Sequence, residues 1–229
     1  MEGRTRSSFF RTLTGRLKGV NMAANIQEYV AERGITHLVH FTREANLSSI
    51  LNRGLLCRDH LIAGTDAVFN DEHRLDGTLA TCLSISSPNY KMFYQLRKNN
   101  PEEKWVVIGV QPSVLWTLPC AFCVTNAAAG AVTALPIDQR KGLAAFQRMF
   151  EDWSDKTRAS LGIDAQYPTN PQAEVLVFSP IPIQYLMGVA VHDAAAQQRL
   201  RSIHEGTAIT LVPSFFNGRS DHAHWKQVI

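Results

Sequence analysis

The chain has 229 residues, 45% of them hydrophobic and 19% charged, with a net charge of +3. That size suits one globular domain with a well-buried core, and the apolar fraction excludes an intrinsically disordered chain. No apolar run approaches the ~18 residues of a membrane-spanning helix, and the 4 cysteines are too few for a disulfide-stapled scaffold.

The charge is unevenly placed. Residues 1–20 hold Arg4, Arg6, Arg11, Arg16 and Lys18 against Glu2 alone, a balance of +4 that leaves the rest of the chain at −1. Phe9, Phe10, Leu13 and Leu17 stand there at roughly helical spacing. The stretch has the flavour of a transit peptide or a basic arm, or is an unstructured leader; it lacks the apolar core of a secretory signal. Residues 1–21 are therefore set apart from a single domain over residues 22–229.

Asn25–Arg33 reads as a short amphipathic helix with Ile26, Tyr29 and Val30 inward, stopped by Gly34. His37–Thr42 reads as a strand whose alternation puts Leu38, His40 and Thr42 on one face and His37, Val39 and Phe41 on the other. Asn46–Arg53 is a second helix with Leu47, Ile50 and Leu51 in register, and Gly54 ends it. Residues 57–80 form a long polar loop. Thr81–Ser86 is a strand, Pro88 a break, and Asn89–Lys98 a helix with Met92, Phe93 and Leu96 inward. Trp105–Val110 is a buried strand, and Ala121–Val124 a short one. Asp138 is placed to cap a helix bearing Leu143, Phe146, Met149, Phe150 and Trp153 on one side. Ser154–Asn170 is a polar loop. Ala173–Phe178 and Tyr185–Val191 are strands, Asp193 caps a helix to about His204, and Ala208–Val212 is a last strand. The interleaving has no regular βαβ rhythm, which predicts an α+β fold. Neither GxGxxG nor GxxxxGK[ST] is present, so neither of these phosphate-cradling loops is expected.

Four features bear on chemistry. Cys120 and Cys123 form a lone CxxC, which His222 and His224 would complete as a metal site on paper; the apolar setting favours core thiols, and no metal is expected. His40 shares its strand face with Thr42 and precedes Asn46. A lone strand-end histidine is usually structural, yet these three would form a polar cluster suited to the hydrogen-bonding edge of a ribose or a carboxamide. Glu174 opens an apolar strand, where a carboxylate is costly unless it is paired or lies in a cleft; exposure at the strand edge is the bland alternative. Arg74, in a polar loop, is by default solvated, and beside a cleft would clamp a pyrophosphate.

The ordered set of HFT, NLSSIL and RGLL between His40 and Leu56, a loop arginine, the PNYKMFY helix and QAEVLV resembles the DarT family of DNA ADP-ribosyltransferase toxins over about residues 35–192. The resemblance implies the ADP-ribosyltransferase fold, a split α+β sheet of mixed and antiparallel strands around a central cleft for NAD, the ADP-ribose donor. It implies an NAD-dependent enzyme acting on a base in single-stranded DNA in the bacterial cytoplasm, as the toxin of a toxin–antitoxin pair. Its partner would be a macrodomain or other ADP-ribose hydrolase as antitoxin. Residue by residue, it implies Glu174 and Arg74 as catalytic. His40 and Thr42 would hold the nicotinamide ribose and carboxamide, Asn46 would contact the cofactor, and Met92 would border the nicotinamide pocket. About Ala134 to Asn170 would form the loop that presents DNA, with Tyr167 and Trp153 as aromatics near it. Thr81–Tyr90 departs from the HDYVPFYF-like stretch of the thymidine-modifying branch and looks like the branch that targets guanine. The rival readings are transfer to RNA or protein, removal of an RNA 2′-phosphate by the same fold, and a non-catalytic nucleic-acid-binding module in which Glu174 is structural. Under the DNA reading, the arm at residues 1–20 would add non-specific affinity.

Overall fold

The structure is a computed structural model that describes residues 23–61, 67–69 and 77–226. Residues 1–21, read as a basic arm or a leader, and Arg74 lie outside the described residues.

In chain order the elements are α1 (Ile26–Glu32), β1 (Leu38–Arg43), α2 (Leu47–Arg53), β2 (Thr81–Ile85), α3 (Tyr90–Asn99), β3 (Trp105–Val110), α4 (Val114–Thr117), β4 (Cys120–Cys123), α5 (Gly130–Thr133), α6 (Gly142–Arg148), α7 (Arg158–Leu161), β5 (Glu174–Val177), β6 (Leu186–Val191), α8 (Ala194–Ile203) and β7 (Ile209–Leu211). Local chemistry sets the helix starts. At α1, the Asn25 side chain accepts from the Glu28 N–H at 2.9 Å, while Glu28 reaches back to the Ala24 N–H at 2.7 Å. The first bond satisfies an orphan donor of the first turn, and the second ties down the chain just before the cap. Asn89 and Asp193 cap α3 and α8 in the same sense, accepting from Met92 N and Ala196 N.

The seven strands run in the order β4-β5-β2-β1-β3-β6-β7. Every neighbouring pair is antiparallel except β6 and β7, which are parallel. The sheet parts between β1 and β2. Their ladder holds only Leu38 opposite Ile85 and Val39 opposite Ser84. Beyond Val39, β1 pairs with β3 alone, and Thr81 to Leu83 of β2 pair with β5. The expected split sheet is thus present, hinged on two residue pairs.

Apolar residues cover both faces. Leu38, Ile85, Val106, Ile108, Phe146, Val175 and Leu200 belong to the largest cluster, beneath α1, α2, α4, α6 and α8. Val39, Phe93, Trp105, Val107 and Phe216 form a second on the opposite face, beneath α3 and the 3-10 turn Pro213–Phe216. The β1 alternation read from sequence holds: Leu38 and Val39 feed different clusters.

Two expectations need correction. Asp138 caps no helix: it sits in the 3-10 turn Ile137–Arg140 and pairs with Lys141 at 2.8 Å, and α6 starts later, at Gly142. Residues 134–170 are not one loop either. They contain α6, α7 and that turn, and Ala145, Phe146, Met149 and Phe150 are buried in the main core. An apolar face this deep overrides the polar composition around it.

Gly54 ends α2 with φ +83°, and a Cβ there would lie 2.2 Å from the Ile181 carbonyl oxygen. Leu55 and Ile181 form an antiparallel bridge at this point, so neither backbone can yield freely. Gly54→Ala is expected to destabilise the fold by at least about 1–3 kcal/mol, read as a lowered melting temperature.

Candidate active site

The parting of the sheet leaves a cleft of about 490 Å³, within the range of small-molecule sites, which runs from about 300 to 1,000 Å³. Its walls come from β1, α2, β2, the first turn of α3, the loop after β4 and the start of β5. Ile50, Leu55, Leu56 and Phe69 give it apolar surface. His40, Thr42, Asn46, Met92 and Glu174 all line it. Five of the six residues singled out in the sequence therefore converge, and the sixth, Arg74, lies outside the described residues.

His40 bridges the gap where the two strands part: its Nδ1 lies 2.9 Å from the Cys82 carbonyl oxygen on β2. A carbonyl only accepts, so Nδ1 carries the proton and donates, and Nε2 is left as an acceptor. Burial lowers the His40 pKa, with the bond to Cys82 opposing. His37 behaves alike, lowered by burial against its bond to the Ser86 carbonyl. Both rings are therefore neutral in the fold at pH values where an unfolded chain would protonate them. Unfolding then gains protons, and stability falls as pH drops below the ordinary imidazole value of about 6.5. The melting temperature is expected to decline between roughly pH 6.5 and 5, above the range where carboxylates titrate. The decline should be shallower in His40→Gln.

Thr42 and Asn46 form a latch as well as a wall. Asn46 Nδ2 donates to Thr42 Oγ1 at 2.9 Å and to the Val68 carbonyl at 3.1 Å, while its Oδ1 accepts from the Val68 N–H at 2.8 Å. Asn46 thereby ties the loop at Val68 and Phe69 to the end of β1. Val68 is exposed and Phe69 half-buried in this loop. Arg58 lines the same wall, its guanidinium carbon 4.1 Å from the Phe69 ring centroid.

Glu174, in the same cleft, is 6% exposed. Its Oε2 accepts the Ala127 N–H at 2.8 Å, and its Oε1 accepts from the side-chain amides of Asn89 and Asn126, both at 3.4 Å. Donors converging on one carboxylate fix its orientation. Neither amide is free to turn: Asn89 Oδ1 accepts from Met92 N and Asn126 Oδ1 from Ala128 N. Asn89 is fully buried, and its own N–H donates to Ser84 Oγ at 3.2 Å. It joins β2, α3 and β5 at one point.

Sequence reasoning missed Asn89, Asn126, Ala127 and Arg58. Asn89 follows Pro88 and precedes a helical pattern, which is an N-cap signature, but the reading placed it inside the helix. Ala127 acts through its backbone N–H, which no side chain announces. The four cysteines form no disulfide, three of them are buried, and burial pushes Cys120 up to about 12. They are core residues, and among the described residues no His, Cys, Asp and Glu cluster could hold a metal ion. No helix among them is long and apolar enough to cross a membrane.

Residues 39–217 match a family model described as ssDNA thymidine ADP-ribosyltransferase, DarT. No curated protein matches the chain. Among solved structures, the fold is similar to that of Thermus sp. 2.9 DarT in complex with ADP-ribosylated ssDNA, with TM-score 0.56 and 13% identity over 80% of this chain and 97% of that one. The same Thermus protein in complex with NAD+ gives TM-score 0.51 and 13% identity over 80% and 98%. Thermosipho africanus DarTG in complex with ADP-ribose gives 0.52 and 17% over 79% of this chain. The chain spans 51% of the Thermosipho chain, about half its length. At these identities the likeness speaks for the fold, the split α+β architecture expected from the sequence.

Proposed function

The chain belongs to the DarT family, and on that premise we propose that it transfers ADP-ribose from NAD to a base of single-stranded DNA and releases nicotinamide. The observation that carries this reading is that one cleft is lined both by a neutral His40 with an acceptor nitrogen and by Glu174, whose carboxylate is held by the N–H groups of Asn89, Asn126 and Ala127. The cleft also suits a dinucleotide in kind. It has apolar walls for flat rings, and Arg58 is the cation that lines it among the described residues.

In the reaction, the bond from ribose C1′ to the nicotinamide nitrogen breaks and the electron pair leaves with nicotinamide. C1′ accepts the lone pair of a base nitrogen, and that nitrogen gives up its proton to water. Positive charge develops on the ribose as the first bond lengthens. Glu174 faces that charge as a preorganised carboxylate, which needs no reorientation when it forms. His40 Nε2 and Thr42 would accept from and orient the hydroxyls and carboxamide of the nicotinamide riboside, with Met92 beside its ring. Asn46 would serve the same end by holding the Val68 loop against the cleft. Arg58 would meet the diphosphate, and Arg74 would assist the transition state. Single-stranded DNA offers a base without the unstacking cost of a few kcal/mol that a duplex imposes.

Two acceptors remain in view, each with an observation behind it. The Thr81–Tyr90 stretch favours guanine, and the description of the matching family names thymidine. Reaction of short oligonucleotides with NAD, followed by mass spectrometry of the nucleosides, separates them. An ADP-ribosylated deoxyguanosine supports the first and an ADP-ribosylated thymidine the second. Modified RNA or protein with unmodified DNA would overturn the DNA reading altogether.

The activity is further proposed to be that of a toxin in the bacterial cytoplasm, countered by a macrodomain or other ADP-ribose hydrolase. Growth arrest on expression, relieved by co-expression of such a hydrolase, is the expected result.

A further inference from the structure

We infer that Arg219 is a positioning residue for the transfer step, acting on Glu174 through the segment that leads into β5. The inference rests on the reading of Glu174 given above. Arg219 and Asp221 lie beyond residue 217, where the family match stops, so that resemblance does not supply them.

The two residues are 8% and 1% exposed. Arg219 Nε donates to Asp221 Oδ1 at 2.7 Å and Nη2 to Oδ2 at 2.5 Å, a two-point pairing. The outer edge of the guanidinium donates to the carbonyls of Pro168 at 2.7 Å and Thr169 at 2.9 Å. Trp225 Nε1 donates to Asp221 Oδ2 at 2.8 Å and fixes the carboxylate from behind. Arg158 holds the same segment from its other side, donating to the carbonyls of Asp164 and Tyr167 and to Thr169 Oγ1. An irregular segment is thus held by guanidinium groups where no ladder holds it.

That segment continues into the site. Asn170 Nδ2 donates to Thr125 Oγ1 at 3.2 Å. The next two residues, Asn126 and Ala127, supply two of the donors to the Glu174 carboxylate. Ala173, which precedes Glu174, donates back to the Asn170 carbonyl at 3.1 Å. A shift of Thr169 therefore reaches Glu174 by two routes, along the chain and through the Thr125 contact. Asp221 and Arg219 also lie near the first residue of α3: burial, with the Asp221 carboxylate adding and the Arg219 guanidinium opposing, pushes the Tyr90 hydroxyl up to about 12. Asn89, another donor to Glu174, is the neighbour of Tyr90.

A buried ion pair is weak grounds for stability, since apolar residues of similar volume often fill such a place as well. The guanidinium adds direction: its donors lie fixed in one plane and set the carbonyls they meet. Small displacements at a reacting centre cost large factors in rate, about 100-fold for 1 Å.

The test compares wild type, Arg219→Lys and the double variant Arg219→Met with Asp221→Leu, which removes both charges together. NAD affinity and stoichiometry are measured by calorimetry. The kcat for transfer to a single-stranded oligonucleotide is expressed per NAD-binding molecule. The expected result is NAD affinity within about twofold of wild type and kcat lowered about 10- to 100-fold in the double variant, with a smaller loss in Arg219→Lys. Unchanged kcat per NAD-binding molecule, with only the stoichiometry or melting temperature reduced, would make the pair a stabiliser and overturn the inference. Should the double variant fail to fold, Arg219→Lys decides: it keeps the charge and lacks the planar fork, so an unchanged kcat overturns the inference. Wild type that transfers to no oligonucleotide overturns the reading of the site itself, whereas wild type that transfers as fast as both variants overturns this inference alone.

Discussion

Glu174→Gln is expected to lower the rate of ADP-ribose transfer about 10²- to 10³-fold, the range seen when a preorganised electrostatic contact is removed from a transition state. The substitution keeps shape and removes charge. It also sets an amide against donors that cannot adapt. Ala127 N–H still finds the carbonyl oxygen, but the new NH₂ faces the Asn89 and Asn126 side-chain amides, each locked through its own oxygen. The opposed N–H groups leave buried donors without an acceptor, so about 1–3 kcal/mol of stability is expected to go with the rate. The measurement is kcat at saturating NAD beside a thermal melt. A fall in kcat that merely tracks a fall in the folded fraction would point to a structural carboxylate, the bland alternative for this strand.

The second large effect is expected at Asn89, where two substitutions should part company. Asn89→Ala removes the N-cap of α3 and one of the donors to Glu174. It should cost about 1 kcal/mol of stability with a moderate loss of rate. Asn89→Asp keeps an oxygen that can cap Met92 N, but brings a second carboxylate to the place of an amide now 3.4 Å from Glu174 Oε1. Two carboxylates that close cannot both ionise, so one takes up a proton and its pKa rises. The rate of Asn89→Asp should therefore fall further than that of Asn89→Ala at neutral pH and recover as pH is raised. The Asn89→Ala profile should run parallel to wild type. A profile for Asn89→Asp that overlays wild type would contradict the proximity on which this account depends.

These residues show where a sequence is informative. The period-2 alternation of β1 placed His40 and Thr42 on the face of Leu38, which is buried in the main core, so a single register satisfies the strand. Glu174 stood out because a carboxylate opening an apolar strand requires a partner or a cleft, and it has both. Asn46 was singled out for its polarity, and its geometry gives it the added work of holding Val68. The order of the strands was not legible. β5 enters the sheet between β4 and β2, a pairing over about ninety residues that no local pattern encodes. The helices α4, α5 and α7 span four residues each, too short for a 3.6-residue period to register. Asp138 misled because an acidic residue before an apolar run looks like a cap, while Pro136 and Gly142 displace the helix start. The clamp at Arg219 was invisible for a different reason: its partners Pro168 and Thr169 contribute only backbone carbonyls.

The histidine pair gives the account a check that needs no substrate, and the Gly54 substitution one that needs no activity. The central claim concerns chemistry at Glu174 and is met most directly by one measurement. Single-stranded oligonucleotides are incubated with NAD and either wild type or Glu174→Gln, digested to nucleosides and analysed by mass spectrometry. The account predicts an ADP-ribosylated nucleoside with wild type and its loss with Glu174→Gln, nicotinamide release falling in step. Equal adduct from both proteins, or nicotinamide released by wild type with no modified nucleoside, would contradict it.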